Sequence, residues 1–133
     1  MPDHDPSTVT ASYKRGLALG RSGSYFEAHE AFEDAWRAAA ADERDFFQGL
    51  VHVVVSAYQH GRGRPVAQER QRVKALRRLA AFAPEHRGLD VSSLLAALER
   101  AETDPREYLV ERDAQPPIPV EEEQQPERDE RRA

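Results

Sequence analysis

The chain contains no cysteine, which excludes disulfides, thiolate metal sites and cysteine nucleophiles. Lysine is almost missing as well: Lys14 and Lys74 stand alone, and the other cations are arginines. No apolar run approaches the roughly 20 residues of a membrane span. The longest candidate, Leu50 to Ala57, is broken by His52 and Ser56. The N-terminus, Met-Pro-Asp-His-Asp-Pro, lacks the basic and apolar regions of a signal peptide. Catalytic triads, phosphate-cradling glycine loops and aspartate-rich metal motifs are absent too. These absences point to a soluble, cytoplasmic protein without a membrane partner, and they weigh against an enzyme.

What remains is a chain of 133 residues, enough for one domain with a modest core. Its net charge of −5 is carried mainly by the C-terminal end. Residues 111–133 hold eight acids and four arginines, or −4, which leaves −1 for the first 110 residues. The acidity therefore says little about what the domain binds.

Apolar spacing predicts helices throughout. A first helix is expected from about Thr8 to Arg21, with Val9, Tyr13, Gly16, Leu17 and Gly20 inward. Ser22-Gly23 breaks it. Ser24 and Glu27 form a capping-box pattern for a second helix that reaches about Ala40. Asp42 is placed to cap a third, Glu43 to His60, whose apolar residues cover most of its circumference and make it the central element. Val53-Val54-Val55 also suits a buried strand, but the length of the segment and its capping residue favour helix.

Pro65 opens a fourth helix, expected to pack through Val66, Val73, Leu76, Leu79 and Ala80 and to stop before Pro84. Asp90 caps a fifth, Val91 to about Ala101, and Asp104-Pro105-Arg106-Glu107 signals one more short turn carrying Tyr108 and Leu109. The fold class is an all-α bundle of five or six mostly antiparallel helices, spanning residues 8–113. A disordered N-terminus is expected at residues 1–7, and a disordered Pro/Glu/Arg-rich tail at 114–133.

The second helix contains the least ordinary pattern. Tyr25, Ala28, Phe32, Ala35 and Trp36 form an apolar sector, with Glu27, Glu30, Asp34 and Arg37 opposite. His29 and Glu33, one turn apart, fall at the edge of that sector beside Trp36, where an ionisable group needs a partner.

His29-x-x-x-Glu33-x-x-Trp36 resembles the signature of a bacterial and archaeal family, domain-of-unknown-function family 309. The resemblance continues in Tyr25-Phe26-Glu27-Ala28-His29-Glu30, Trp36-Arg37, Phe47-Gln48-Gly49-Leu50, Ala57-Tyr58, Gly61-x-Gly63 and Gly88-Leu89-Asp90, over roughly residues 13–100. The chain departs from that pattern at Val51-His52, Gln59 and Arg64. The family has no settled activity, so the resemblance implies a small helical fold and no reaction. Gly23, Tyr25, Ala28, Phe32 and Ala35 are also similar to a tetratricopeptide hairpin, without recurrence about 34 residues on.

Two constellations bear on function. If helices two and three are antiparallel, a polar stripe of Asp45, Gln48, His52 and Gln59 comes level with His29 and Glu33. His29, Glu33, His52 and Gln48 would then converge, and the two imidazoles with one carboxylate suit a divalent metal. The competing reading has the stripe on the exposed face, with His29 and Glu33 bonded to each other or to the Trp36 indole as a structural cluster. The second constellation is basic. Seven cations lie between Arg62 and Arg78, with Arg70, Lys74 and Arg77 on one face, but no aromatics interleave for base stacking. Nucleic acid is accordingly the disfavoured partner. The favoured reading is an interaction or assembly module that binds a protein or itself, with a metal-dependent protein as the alternative.

Overall fold

The computed structural model describes residues 5–112, so the expectations for residues 1–4 and 113–133 lie outside the described part. Five α-helices make up the body: α1 Pro6–Arg21, α2 Tyr25–Ala38, α3 Arg44–Gly61, α4 Pro65–Leu79 and α5 Val91–Glu99. Short 3-10 turns at Ala41–Glu43, Ala80–Phe82 and Arg106–Tyr108 join or follow them. One element had no counterpart in the sequence reading. It is an antiparallel ribbon of β1 (Glu85–His86) and β2 (Leu89–Asp90), with Glu85 opposite Asp90 and His86 opposite Leu89. The architecture is the expected all-α bundle, and no helix among the described residues is long and apolar enough to cross a membrane.

Local chemistry sets the helix boundaries. α1 starts at Pro6, two residues ahead of the expected Thr8, because Asp5 caps it. The Asp5 carboxylate accepts from the Thr8 amide and from the hydroxyls of Ser7 and Thr8. The turn after α1 needs a glycine, since Gly23 has φ +84°. The capping box of α2 does not form: the Ser24 hydroxyl makes no cap bond and instead accepts from Ser22. α2 ends at Ala38, where Ala39 and Ala40 turn extended. Asp42 lies in the following 3-10 turn, and α3 begins at Arg44. Asp90 does cap α5, accepting from the Ser93 amide and hydroxyl.

Each of α1 to α4 packs chiefly on the helix before and after it in the chain. The ring pair Phe26–Tyr58 at one end and the Trp36–Arg44 contact at the other show that α2 and α3 run antiparallel. α3 is the central element, burying ten of its residues, Val53 and Val54 among them. Two glycines permit close approach between helices. A Cβ on Gly16 of α1 would stand 2.5 Å from the Phe32 ring, and one on Gly49 of α3 would stand 2.5 Å from Leu79.

The packing face of α4 is the expected one at Leu76 and Leu79 only. Val66, Val73 and Ala80 are exposed, and the helix docks through Ala75 and Leu79 with Gln68, Gln71, Arg72 and Leu76 half-buried. Gly49, His52 and Ser56 of α3 meet Leu79, Gln71 and the Gln68 carbonyl of α4. Ser56 donates to the Gln68 carbonyl at 3.1 Å, and Arg78 meets Asp45 at 2.7 Å.

The ribbon is fastened by a cluster that local sequence patterns do not reveal. Glu43 receives Arg87 through two bonds of 2.7 Å, and its Oε2 also lies 2.7 Å from His86 Nε2. The Arg87 guanidinium rests over the rings of Phe47 and Tyr13, whose hydroxyl donates to the Arg87 carbonyl. The His86 ring packs on Phe46 and Phe82. His86, in β1, stands in no recognisable sequence pattern, because its partner is 43 positions away.

Candidate functional site

The motif residues lie along the seam between α2 and α3. His29 Nε2 is 3.3 Å from Glu33 Oε2, and Arg37 approaches the other oxygen of Glu33 at 3.9 Å. All are partly open to solvent, the His29 side chain about 24%. Trp36, half-buried against the core, carries the Arg44 guanidinium over its ring at 5.1 Å. The polar pair expected from the one-turn spacing is therefore present. It sits at the rim of the core and not within it.

Towards the N-terminal end of α2 the seam opens into a small cavity of about 150 Å³, lined by Tyr25, Phe26, His29, Val55, Tyr58 and Gln59. Phe26 is 50% exposed although its ring packs on both His29 and Tyr58. A wider groove of about 440 Å³ continues from it past Gly23, Ala57 and Arg62. Arg62 lies over the Tyr58 ring and donates to its hydroxyl at 3.1 Å.

Two buried polar atoms beside the small cavity, His29 Nδ1 and Gln59 Oε1, have no hydrogen-bond partner. An unmade buried bond costs roughly 1–3 kcal/mol.

His52 does not join them. It is buried on the side of α3 that meets α4, with Nδ1 2.7 Å from Gln71 Oε1. Burial holds its pKa below the ordinary histidine value, and the cations Arg78, Lys74 and Arg77 act in the same direction. Gln48 is half-buried on α3. Among the described residues no group of three or more histidines, aspartates and glutamates comes together to hold a metal ion. The expected convergence of His29, Glu33 and His52 thus fails. The physical reason is that His52 is hydrogen-bonded across the α3–α4 contact.

His29 has one attribute of an oriented base, a carboxylate on one ring nitrogen and a cavity by the other. No nucleophile accompanies it. The cavity hydroxyls are those of Tyr25, set against Asp104 at 3.4 Å, and Tyr58, held by Arg62.

On the basic helix, Arg70, Lys74 and Arg77 are exposed as expected. Three of its seven cations are otherwise engaged: Arg62 with Tyr58, Arg72 with Glu69 and the Leu98 carbonyl, and Arg78 with Asp45.

A family model described as a domain of unknown function (DUF309) matches residues 13–71, from the middle of α1 to the middle of α4. Over these residues the chain is similar to that family. The matched segment contains the whole α2–α3 seam, the Gly16–Phe32 contact and the His52–Gln71 bond. It stops short of the ribbon and α5, which the sequence resemblance was expected to reach. No curated protein and no solved structure matches the chain.

Proposed function

We propose that the chain is an interaction module that engages a protein partner through the groove between α2 and α3. The observation that supports this most directly is Phe26, half exposed in an aromatic group with Tyr25, Tyr58 and the His29 ring. Aromatic residues with apolar faces and polar edges are enriched at the energetic centres of interfaces, where a partner completes their burial. Arg62 and Glu27 at the rim supply the polar border such a surface has. His29, Glu33 and Trp36 serve as framework, with the His29–Glu33 contact fixing the imidazole and the Trp36–Arg44 stack securing the far end of the seam.

A photo-crosslinking residue placed at position 26 tests the reading, with position 73 on exposed α4 as control. A discrete adduct is expected at 26 and none at 73. Its mass separates a second copy of this chain from a different protein. No adduct at 26, or equal labelling at both positions, overturns the proposal.

A further inference from the structure

Away from the α2–α3 groove, α4 turns a face of specific chemistry to solvent. Arg70, Lys74 and Arg77 are exposed there, spaced four and three residues apart, and none makes an ion pair among the described residues. Glu69, the only acid in the helix, is taken by Arg72. Val66 and Val73 stand on the same face, both exposed. We propose that this face is the docking surface for the acidic segment 113–127 of the same chain.

Charge, reach and tethering support that occupant. Segment 113–127 carries Asp113, Glu121, Glu122, Glu123 and Glu127 and no cation, opposite in sign to the face. Ile118 and Val120 precede the glutamates and supply apolar counterparts for Val66 and Val73. The described chain ends at Arg112, which donates to Asp90 at 2.7 Å, immediately before α5. α5 lies antiparallel beside α4: the Ser92 amide bonds the Pro84 carbonyl just past α4, and the Leu98 carbonyl takes Arg72 at 2.7 Å. The segment therefore departs near the C-terminal end of α4. Residues 113–120 can span roughly 25 Å, enough to bring the glutamates onto Arg77 and Lys74. From there Arg70 is only about 10 Å along the helix, within the span of Glu121 to Glu127. A tethered segment acts at an effective concentration on the order of millimolar, so contacts too weak to hold a separate acidic molecule suffice for this one. Nucleic acid fits less well, since α4 has no aromatic residue for base stacking. Once docked, the segment shields α4 from other polyanions.

The absence of cysteine makes the test direct, because Gln124→Cys gives a nitroxide one attachment point and removes no acid. In 1H–15N spectra of the labelled full chain, paramagnetic broadening is expected at Arg70, Val73, Lys74 and Arg77. Glu27, Glu30 and Asp34, on the exposed acidic face of α2, should be spared. The broadening should be present at about 10 mM salt and lost near about 1 M, where the screening length falls from roughly 30 Å to about 3 Å. Arg70→Gln, Lys74→Gln and Arg77→Gln combined should weaken docking roughly 5- to 10-fold and reduce the broadening at Val73. Should that variant not fold, Glu121→Gln, Glu122→Gln and Glu123→Gln combined, made in the segment itself, should have the same effect. Equal broadening on α2 and α4, or broadening unchanged at high salt, overturns the proposal. Equal broadening of a 15N-labelled chain by nitroxide on a separate chain assigns the face to a second copy and also overturns it. Shifts on the face with oligothymidylate, without broadening from the nitroxide, assign it to nucleic acid and do the same. An internal contact adds no mass at position 73, so the crosslinking control for the groove is unaffected.

Discussion

Glu43 offers the sharpest test of how the ribbon is held to the helices. Its carboxylate takes two bonds from Arg87 and one from His86, all at 2.7 Å. The Arg87 guanidinium, foremost, holds the Glu43 pKa down from 4.5 to about 2, with His86 adding to the effect. A displacement of that size corresponds to roughly 3 kcal/mol of folding stability. About a fifth of the Glu43 side chain meets water. Screening there reduces the expected figure to about 2 kcal/mol.

The sign follows from the direction. A depressed carboxylate pKa contributes fully above the unfolded value near 4.5 and is lost as pH falls towards 2. Glu43→Gln should therefore cost about 2 kcal/mol in urea denaturation at neutral pH, and its deficit against the parent chain should shrink between pH about 5 and pH about 2. A double-mutant cycle with Arg87→Met should return most of that as coupling. A variant with unchanged stability at neutral pH refutes the argument, as does one whose deficit is constant down to pH about 2.

Further expectations come from packing and from the motif. Gly49→Ala drives a Cβ to 2.5 Å from Leu79 and should destabilise by about 1–3 kcal/mol in the same denaturation assay. Gly61→Ala, whose Cβ meets nothing within 4 Å, should be neutral or slightly stabilising; equal losses for the two would deny the close approach of α3 and α4. Glu33→Ala should cost at most about 0.5–1 kcal/mol, since the His29–Glu33 pair is a partly exposed one-turn contact. A collapse of folding would return this pair to the core.

The helical body was readable because its signals are local. Pro65 and Asp90 act where such residues act in most helices, and the apolar circumference of α3 marks it as central. The His29–Glu33 contact was readable for the same reason, being set by one turn of helix. What escaped depends on distant partners. Glu43 finds His86 and Arg87 across more than forty positions, so it reads locally as an ordinary first-turn acid. The face of α4 was read correctly at Leu76 and Leu79 and wrongly at Val66 and Val73, because apolarity alone could not show that α3 meets this helix with His52 and Ser56, which bond Gln71 and the Gln68 carbonyl. Register left open whether His52 faces α2 or solvent, and its hydrogen bond to Gln71 commits it to α4 instead.

The distribution of glycine contacts has a consequence for how the domain can change. Gly16 fits against Phe32 between α1 and α2, and Gly49 against Leu79 between α3 and α4, so substitution at either glycine displaces a neighbour. Between α2 and α3 the contact is instead made by large side chains, Phe26 with Tyr58 and Trp36 with Arg44. Replacing one of those alters the outline of the seam while both backbones stay where they are. New surface specificities can accumulate there by ordinary point mutation, on a frame whose other two junctions tolerate very little.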